Sequence, residues 1–197
     1  MSLPDCLRLP FDFSPDLLRR DLDHLSTTPW TAHFVRQNYE GDWSAIPLRA
    51  PAGETHPIRM IYPDPTCEQF VDTPFLLGCD YFQYVLSQFR CPLRNARLMR
   101  LGPGSIIKEH TDPDLSFEQG FVRIHIPVVT NRDVVFLLNR RRFDLEAGST
   151  WYLRLSDPHS VLNQGASDRV HLVIDAVVDD WARQVFADAA ERAAAAA

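Results

Sequence analysis

Ser105-Ile106-Ile107-Lys108-Glu109-His110-Thr111-Asp112 is a short β-type run that ends in a His-x-Asp step. In an extended chain, residues i and i+2 point to one side, so His110 and Asp112 can reach a common centre while Thr111 faces away. Two further residues answer this pair downstream: His159, then Arg169 ten residues later. Two imidazoles and one carboxylate are the donor set that holds a non-haem ferrous ion by one face and leaves the other positions open. An arginine nearby supplies a fixed cation for the distal carboxylate of a keto-acid cosubstrate.

Working outward, short runs rich in Val, Ile, Leu and aromatics recur at 95–101, 105–110, 121–128, 133–138, 149–155 and 169–178. Pro103-Gly104, Asn131-Arg132-Asp133, Ala147-Gly148 and Gln164-Gly165 punctuate them as turns. Many short strands at such spacing predict a barrel or sandwich. None of the three chemical pieces is specific alone. A His-x-Asp arises by chance in a chain with seven histidines, and a lone His159 or Arg169 is ordinarily a surface residue. Their order carries the information: His-x-Asp closes one strand, His159 follows another, and Arg169 opens the next.

Phe121-Val122-Arg123-Ile124-His125-Ile126-Pro127 alternates polar with apolar residues, which puts Arg123 and His125 on one face and Val122, Ile124 and Ile126 on the other. Cationic groups turned into a barrel need an anion. A keto-acid carboxylate beside a metal would serve, and so would an internal ion pair to Asp144 or Asp175. The last long strand repeats the arrangement, with Arg169 and His171 on the face opposite Leu172 and Ile174; His171 also reads as a plain core histidine.

Leu101-Gly-Pro-Gly-Ser105, His110-Thr-Asp112, Arg123-Ile-His125, Gly148-Ser-Thr-Trp151, His159-Ser-Val-Leu-Asn163 and Asp168-Arg-Val-His-Leu-Val-Ile-Asp175 together resemble the aspartyl/asparaginyl β-hydroxylase family. Bacterial members of that family include hydroxylases of free amino acids such as proline. The resemblance spans most of 94–181 and extends more loosely to Trp30, Tyr39, Trp43 and Leu48-Arg49. It implies a double-stranded β-helix (a jelly-roll, cupin-like barrel) with iron(II)- and 2-oxoglutarate-dependent dioxygenase activity. By the same resemblance, the metal-ligand histidines fall on His110 and His159. The arginine for the distal 2-oxoglutarate carboxylate falls on Arg169, and the Arg-x-His pair near the metal-side carboxylate on Arg123 and His125. The animal enzymes that name the family lack the ligand carboxylate, whereas Asp112 is present here, as in the amino-acid hydroxylase branch. That argues against an Asp- or Asn-residue substrate and leans towards a small molecule, within an expected set of an amino acid, an amino-acid-derived small molecule or a peptidyl residue, oxidised with dioxygen.

The remaining sequence fits one domain. With 197 residues and 45% hydrophobic content, the chain can bury a sizeable core. Its expected parts are a helical and irregular buttress over 1–93, the β-helix core over 94–178, and a helix with an alanine-rich tail over 179–197. Ser14-Pro15-Asp16 ahead of Leu17, Leu18, Leu22 and Leu25 predicts a capped helix, and the spacing of Phe82, Val85, Leu86 and Phe89 predicts another. The proline-rich stretch 47–74 is expected to be irregular and to wall the substrate pocket. The loop 113–120 reads either as a lid, with Asp114 and Glu118 meeting a polar substrate group, or as a solvated hairpin loop.

A net charge of −6, with basic residues scattered apart from Arg140-Arg141-Arg142, gives no nucleic-acid footprint. The four cysteines form no C-x-x-C pair, and no apolar run approaches the roughly 20 residues that cross a bilayer. Reduced thiols without a leader segment predict a cytoplasmic protein with no membrane contact. Two other readings are a barrel that binds metal or a small ligand without turnover, and a metal-dependent barrel enzyme of another kind. The first has no use for Arg169, Arg123 and His125; the second ordinarily needs more histidine ligands.

Overall fold

The computed structural model describes residues 3–113 and 115–195. The first half of the chain contributes strands β1 (Cys6–Asp12), β2 (Thr31–Ala32), β3 (Tyr39–Glu40), β4 (Trp43–Pro51) and β5 (Phe70–Asp72). The second half contributes β6 (Leu93–Leu101), β7 (Ile106–His110), β8 (Phe121–Val129), β9 (Val134–Leu138), β10 (Arg141–Phe143), β11 (Ser149–Leu153), β12 (His159–Asn163) and β13 (Arg169–Val177). Helices are α1 (Pro15–His24), α2 (Pro57–Ile61), α3 (Pro74–Leu77), α4 (Asp80–Ser87) and α5 (Asp180–Ala195).

The strands form two antiparallel sheets. The larger runs β1-β11-β8-β13-β6-β4-β2, with β5 added to β4, and the smaller runs β10-β9-β12-β7-β3. Side-chain alternation decides how they stack. On β8 and β13, Val122, Ile124, Ile126, Leu172 and Ile174 pack with Leu18, Phe82, Val85 and Phe186 of the helices. The opposite face of the larger sheet gives Met99, Leu101, Leu153 and Val173 to a second core, shared with Ile107, Phe136 and Val161 of the smaller sheet. The result is a helix layer over one wall of a jelly-roll barrel, with the barrel interior between the sheets.

Local chemistry explains the element ends. Ser14 caps α1, its Oγ accepting from Leu17 N–H, with Pro15 at the first helical position. Gly148 opens β11 at φ +81°, and a Cβ there would lie 2.1 Å from the Phe13 carbonyl oxygen, so only glycine fits.

The proline-rich region departs from expectation. Of the stretch 47–74 expected to be irregular, residues 47–51 end strand β4, paired along β6 to Arg49↔Ala96 with a bulge between Pro47 and Arg49, and α2 and β5 lie within the rest. A bulge accommodates a residue that cannot donate to the ladder, which is why the pattern reads as non-strand and yet pairs. Pro10 sits likewise at a register shift in β1, at the sheet edge. Beyond β4, Ile61, Tyr62, Pro63 and Pro65 do wall the interior cavity.

Candidate metal centre

His110 and His159 are direct partners across the β7–β12 ladder, with a bulge just after His159. Their ring centroids lie 4.3 Å apart. Asp112 follows β7 and is held by its own N–H, which donates to Leu155 O at 2.8 Å. Its Oδ1 lies 3.7 Å from His110 Nε2. One donor atom from each of His110, Asp112 and His159 lies within 4.8 Å of the others.

The hydrogen bonds around the cluster set its chemistry. His110 Nδ1 is 2.7 Å from Lys108 O and His159 Nδ1 is 3.0 Å from Asp157 O. A carbonyl only accepts, so each imidazole donates from Nδ1, which leaves Nε2 as the ring atom turned to a metal. Burial pushes His159 down to about 4, which keeps it neutral and able to donate its Nε2 lone pair at pH 7. Asp112 Oδ2 accepts from Arg123 Nη1 at 2.6 Å, leaving Oδ1 on the histidine side. Two imidazole nitrogens and one carboxylate oxygen, gathered within 4.8 Å of one another, suit a divalent first-row transition ion.

Arg123 meets protein carboxylates. Its Nε and Nη2 donate to Asp175 Oδ1 and Oδ2 at 2.6 and 3.1 Å, and Asp175 Oδ2 also accepts from Arg97 Nη2 at 2.8 Å. Of the anions that could neutralise Arg123, the structure therefore supplies Asp175 together with Asp112, while Asp144 pairs with Arg142. Burial alone would lower Arg123, and the two carboxylates more than offset it, so the guanidinium stays charged. Burial alone would raise Asp175, and Arg123 and Arg97 hold it well below the usual carboxylate range.

Arg169 is different. It is 4% exposed, its Nη2 lies 3.1 Å from His171 Nδ1, and its buried Nε has no partner among the described residues. No carboxylate pairs with it among the described residues, and burial lowers it from the usual arginine value. An isolated buried cation is costly, and an anionic ligand would relieve that cost. His125 adds a second orphan, with Nε2 buried and unpartnered.

All six residues singled out from the sequence, His110, Asp112, Arg123, His125, His159 and Arg169, line one cavity of about 460 Å³. Sequence reasoning missed Arg97 and His33, which line it too. His33 stacks on Trp43 at 3.5 Å between centroids, and burial pushes it down to about 3. Arg97 was findable, because it alternates with Asn95 and Met99 on the inward face of β6; a single histidine in a loop gives no such signal. Of the 113–120 loop, Pro113 and Leu115 line the cavity and Glu118 is exposed, while Asp114 lies outside the described residues. Phe117 stacks on Phe186 of α5 at 5.4 Å, tying the loop's far end to the core.

A family model described as Aspartyl/Asparaginyl beta-hydroxylase matches residues 15–178. L-proline cis-4-hydroxylase of Rhizobium meliloti (strain 1021) is 28% identical over 138 residues, covering 68% of this chain and 48% of that protein. The chain thus spans about half the length of that curated relative. Among solved structures, a Trichoplax adhaerens prolyl hydroxylase in complex with a hypoxia inducible factor peptide fragment matches with a TM-score of 0.56 at 10% identity, over 91% of this chain and 86% of that one. A Pseudomonas putida prolyl-4-hydroxylase matches with 0.55 at 12% identity, over 89% and 93%. An oxidoreductase of the 2OG-Fe(II) oxygenase family from Burkholderia pseudomallei matches with 0.51 at 19% identity, over 87% and 85%. At these identities the shared property is the barrel fold. The match over residues 15–178 shows that the chain belongs to the aspartyl/asparaginyl β-hydroxylase family.

Proposed function

We propose that this chain is an iron(II)- and 2-oxoglutarate-dependent hydroxylase acting on an unactivated C–H of an amino acid, an amino-acid-derived small molecule or a peptidyl residue. The observation that carries the reading is the pairing, in one cavity, of the His110–Asp112–His159 donor set with the buried, uncompensated Arg169. A barrel that only held a metal would have no use for such a cation.

Each residue then has a task. His110, Asp112 and His159 would hold iron(II), and Arg169 would receive the distal carboxylate of 2-oxoglutarate. His125 and Arg123 would flank the metal-side carboxylate; Arg123 also bonds Asp112 Oδ2, which leaves Oδ1 as the oxygen that would serve as ligand. Bound together, iron and 2-oxoglutarate supply the oxidising chemistry with dioxygen, releasing succinate and carbon dioxide and leaving a hydroxyl on the substrate. The protein's contribution is to orient the target carbon and exclude water. His33, Phe34, Trp43, Tyr62 and Leu115 give the cavity an apolar wall suited to that. The four cysteines are free thiols, which fits a reducing cytoplasm. No helix among the described residues is long and apolar enough to cross a membrane.

The test is to incubate the protein with ferrous iron, 2-oxoglutarate and a panel of free amino acids and short peptides, measuring succinate release and a substrate mass gain of one oxygen. Substrate-stimulated succinate that disappears in His110→Ala is the expected result. Metal and 2-oxoglutarate binding with no turnover across the panel would favour the non-catalytic alternative.

A further inference from the structure

Arg169 borders two cavities. Besides the one that holds the His–Asp cluster, it lines, together with His171, a second of about 490 Å³, bounded by residues 130–132 and 142–147. A long side chain with space on both sides is not oriented by packing alone. Among the described residues, its one hydrogen bond is from Nη2 to His171 Nδ1, at 3.1 Å.

The donor inventory fixes the direction of that bond. A guanidinium only donates, so His171 Nδ1 is the acceptor and the His171 proton sits on Nε2. His125 Nδ1 lies 3.4 Å from the same His171 Nδ1. Two lone pairs would repel there, so His125 approaches as an N–H donor and its orphaned Nε2 is left with a lone pair. His171 is 1% exposed, and burial together with Arg169 holds both imidazoles neutral. The three groups therefore carry a single positive charge, that of Arg169.

We propose that His171 is a positioning residue whose Nδ1 lone pair fixes the Arg169 guanidinium in one orientation at the wall between the two cavities and ties His125, which lines the cluster cavity, into the same cradle. The inference rests on the reading that the cluster cavity takes 2-oxoglutarate. On this view His171 touches neither the metal nor the cosubstrate, and acts by selecting one orientation of the residue that does.

The experiment is calorimetric titration of 2-oxoglutarate into the manganese(II)-loaded full chain, comparing wild type, His171→Leu and His171→Asn. His171→Leu removes the acceptor and should weaken 2-oxoglutarate binding by about tenfold to a hundredfold, the cost of a lost bond to a charged group. Manganese(II) affinity should stay within about twofold. His171→Asn places an acceptor oxygen near the position of Nδ1 and should recover most of the loss. Unchanged 2-oxoglutarate affinity in His171→Leu, or equal losses in Leu and Asn variants, would overturn the proposal. Nitrogen-15 spectra of the wild-type imidazoles provide a readout that needs no variant to fold: His171 protonated on Nδ1 would also overturn it. A wild-type protein that binds manganese(II) but not 2-oxoglutarate would instead sink the reading of the cavity, and the tautomer measurement would still stand.

Discussion

Asp175 and Arg123 are cross-strand partners in the β13–β8 ladder, and their side chains are joined by two hydrogen bonds of 2.6 and 3.1 Å. Arg97, on the neighbouring strand β6, shares the same carboxylate, and Arg123 continues to Asp112. Two arginines and two aspartates thus form a neutral chain that ends on the candidate metal ligand.

Asp175→Asn leaves Arg97 buried with no carboxylate partner and Arg123 with only Asp112. Removing one partner of a buried ion pair typically costs about 3–5 kcal/mol. Urea denaturation should show a loss of that size, and a loss under about 1 kcal/mol would mean the network is far better hydrated than its burial indicates.

Arg169→Met should separate stability from binding. Replacing an uncompensated buried cation with an apolar side chain of similar length should stabilise the metal-free protein by about 1–3 kcal/mol. The same change should weaken 2-oxoglutarate by about two orders of magnitude, since losing one partner of a buried charge pair costs about 2–5 kcal/mol. A variant that is destabilised and binds 2-oxoglutarate normally contradicts both.

Asp112→Ala takes away one ligand and one partner of Arg123. Manganese(II) affinity should fall by more than the roughly 10–100-fold seen when a group outside the ligand set is lost. Calorimetry of metal binding checks this, and coupled hydroxylation at a near wild-type rate in this variant would show that Asp112 is not a ligand.

Stability should fall steadily under mild acid. His33 is pushed down to about 3 and His159 to about 4, both chiefly by burial, and His125 and His171 lie well below their usual value. In the unfolded chain these histidines take up protons near pH 6.5, whereas the folded protein refuses them until lower pH. The unfolded state therefore binds more protons as pH falls below about 6.5, and each such histidine costs up to about 1.4 kcal/mol per pH unit within its window. Below about pH 4 Asp175 acts in the same direction, because its folded carboxyl stays ionised while the unfolded one protonates. Melting temperatures of metal-free protein between pH 7.5 and 5 should decline; a flat profile would mean these histidines are solvated.

Much of the second half of the fold was legible because alternation on β8 and β13 has a period of two, and inward-facing polar residues on an otherwise apolar strand are rare enough to stand out. The first half was harder to read. Pro10, Pro47 and Pro51 argue locally against strands, yet edge position and bulges let β1 and β4 pair. His33 gave no pattern at all, since its place beside Trp43 depends on how a loop returns to the sheet.

The sequence by itself determined the chemistry available: residue types, their order, and the strand face on which each lies are local properties of the chain. Only the tertiary structure decided the partners. Arg123 and Arg169 read alike as inward arginines, yet Arg123 lies opposite Asp175 across the ladder while, among the described residues, the Arg169 side chain bonds only His171. Which buried cation is neutralised and which is left to receive a ligand depends on the register between strands that are roughly fifty residues apart, and no local pattern encodes that register.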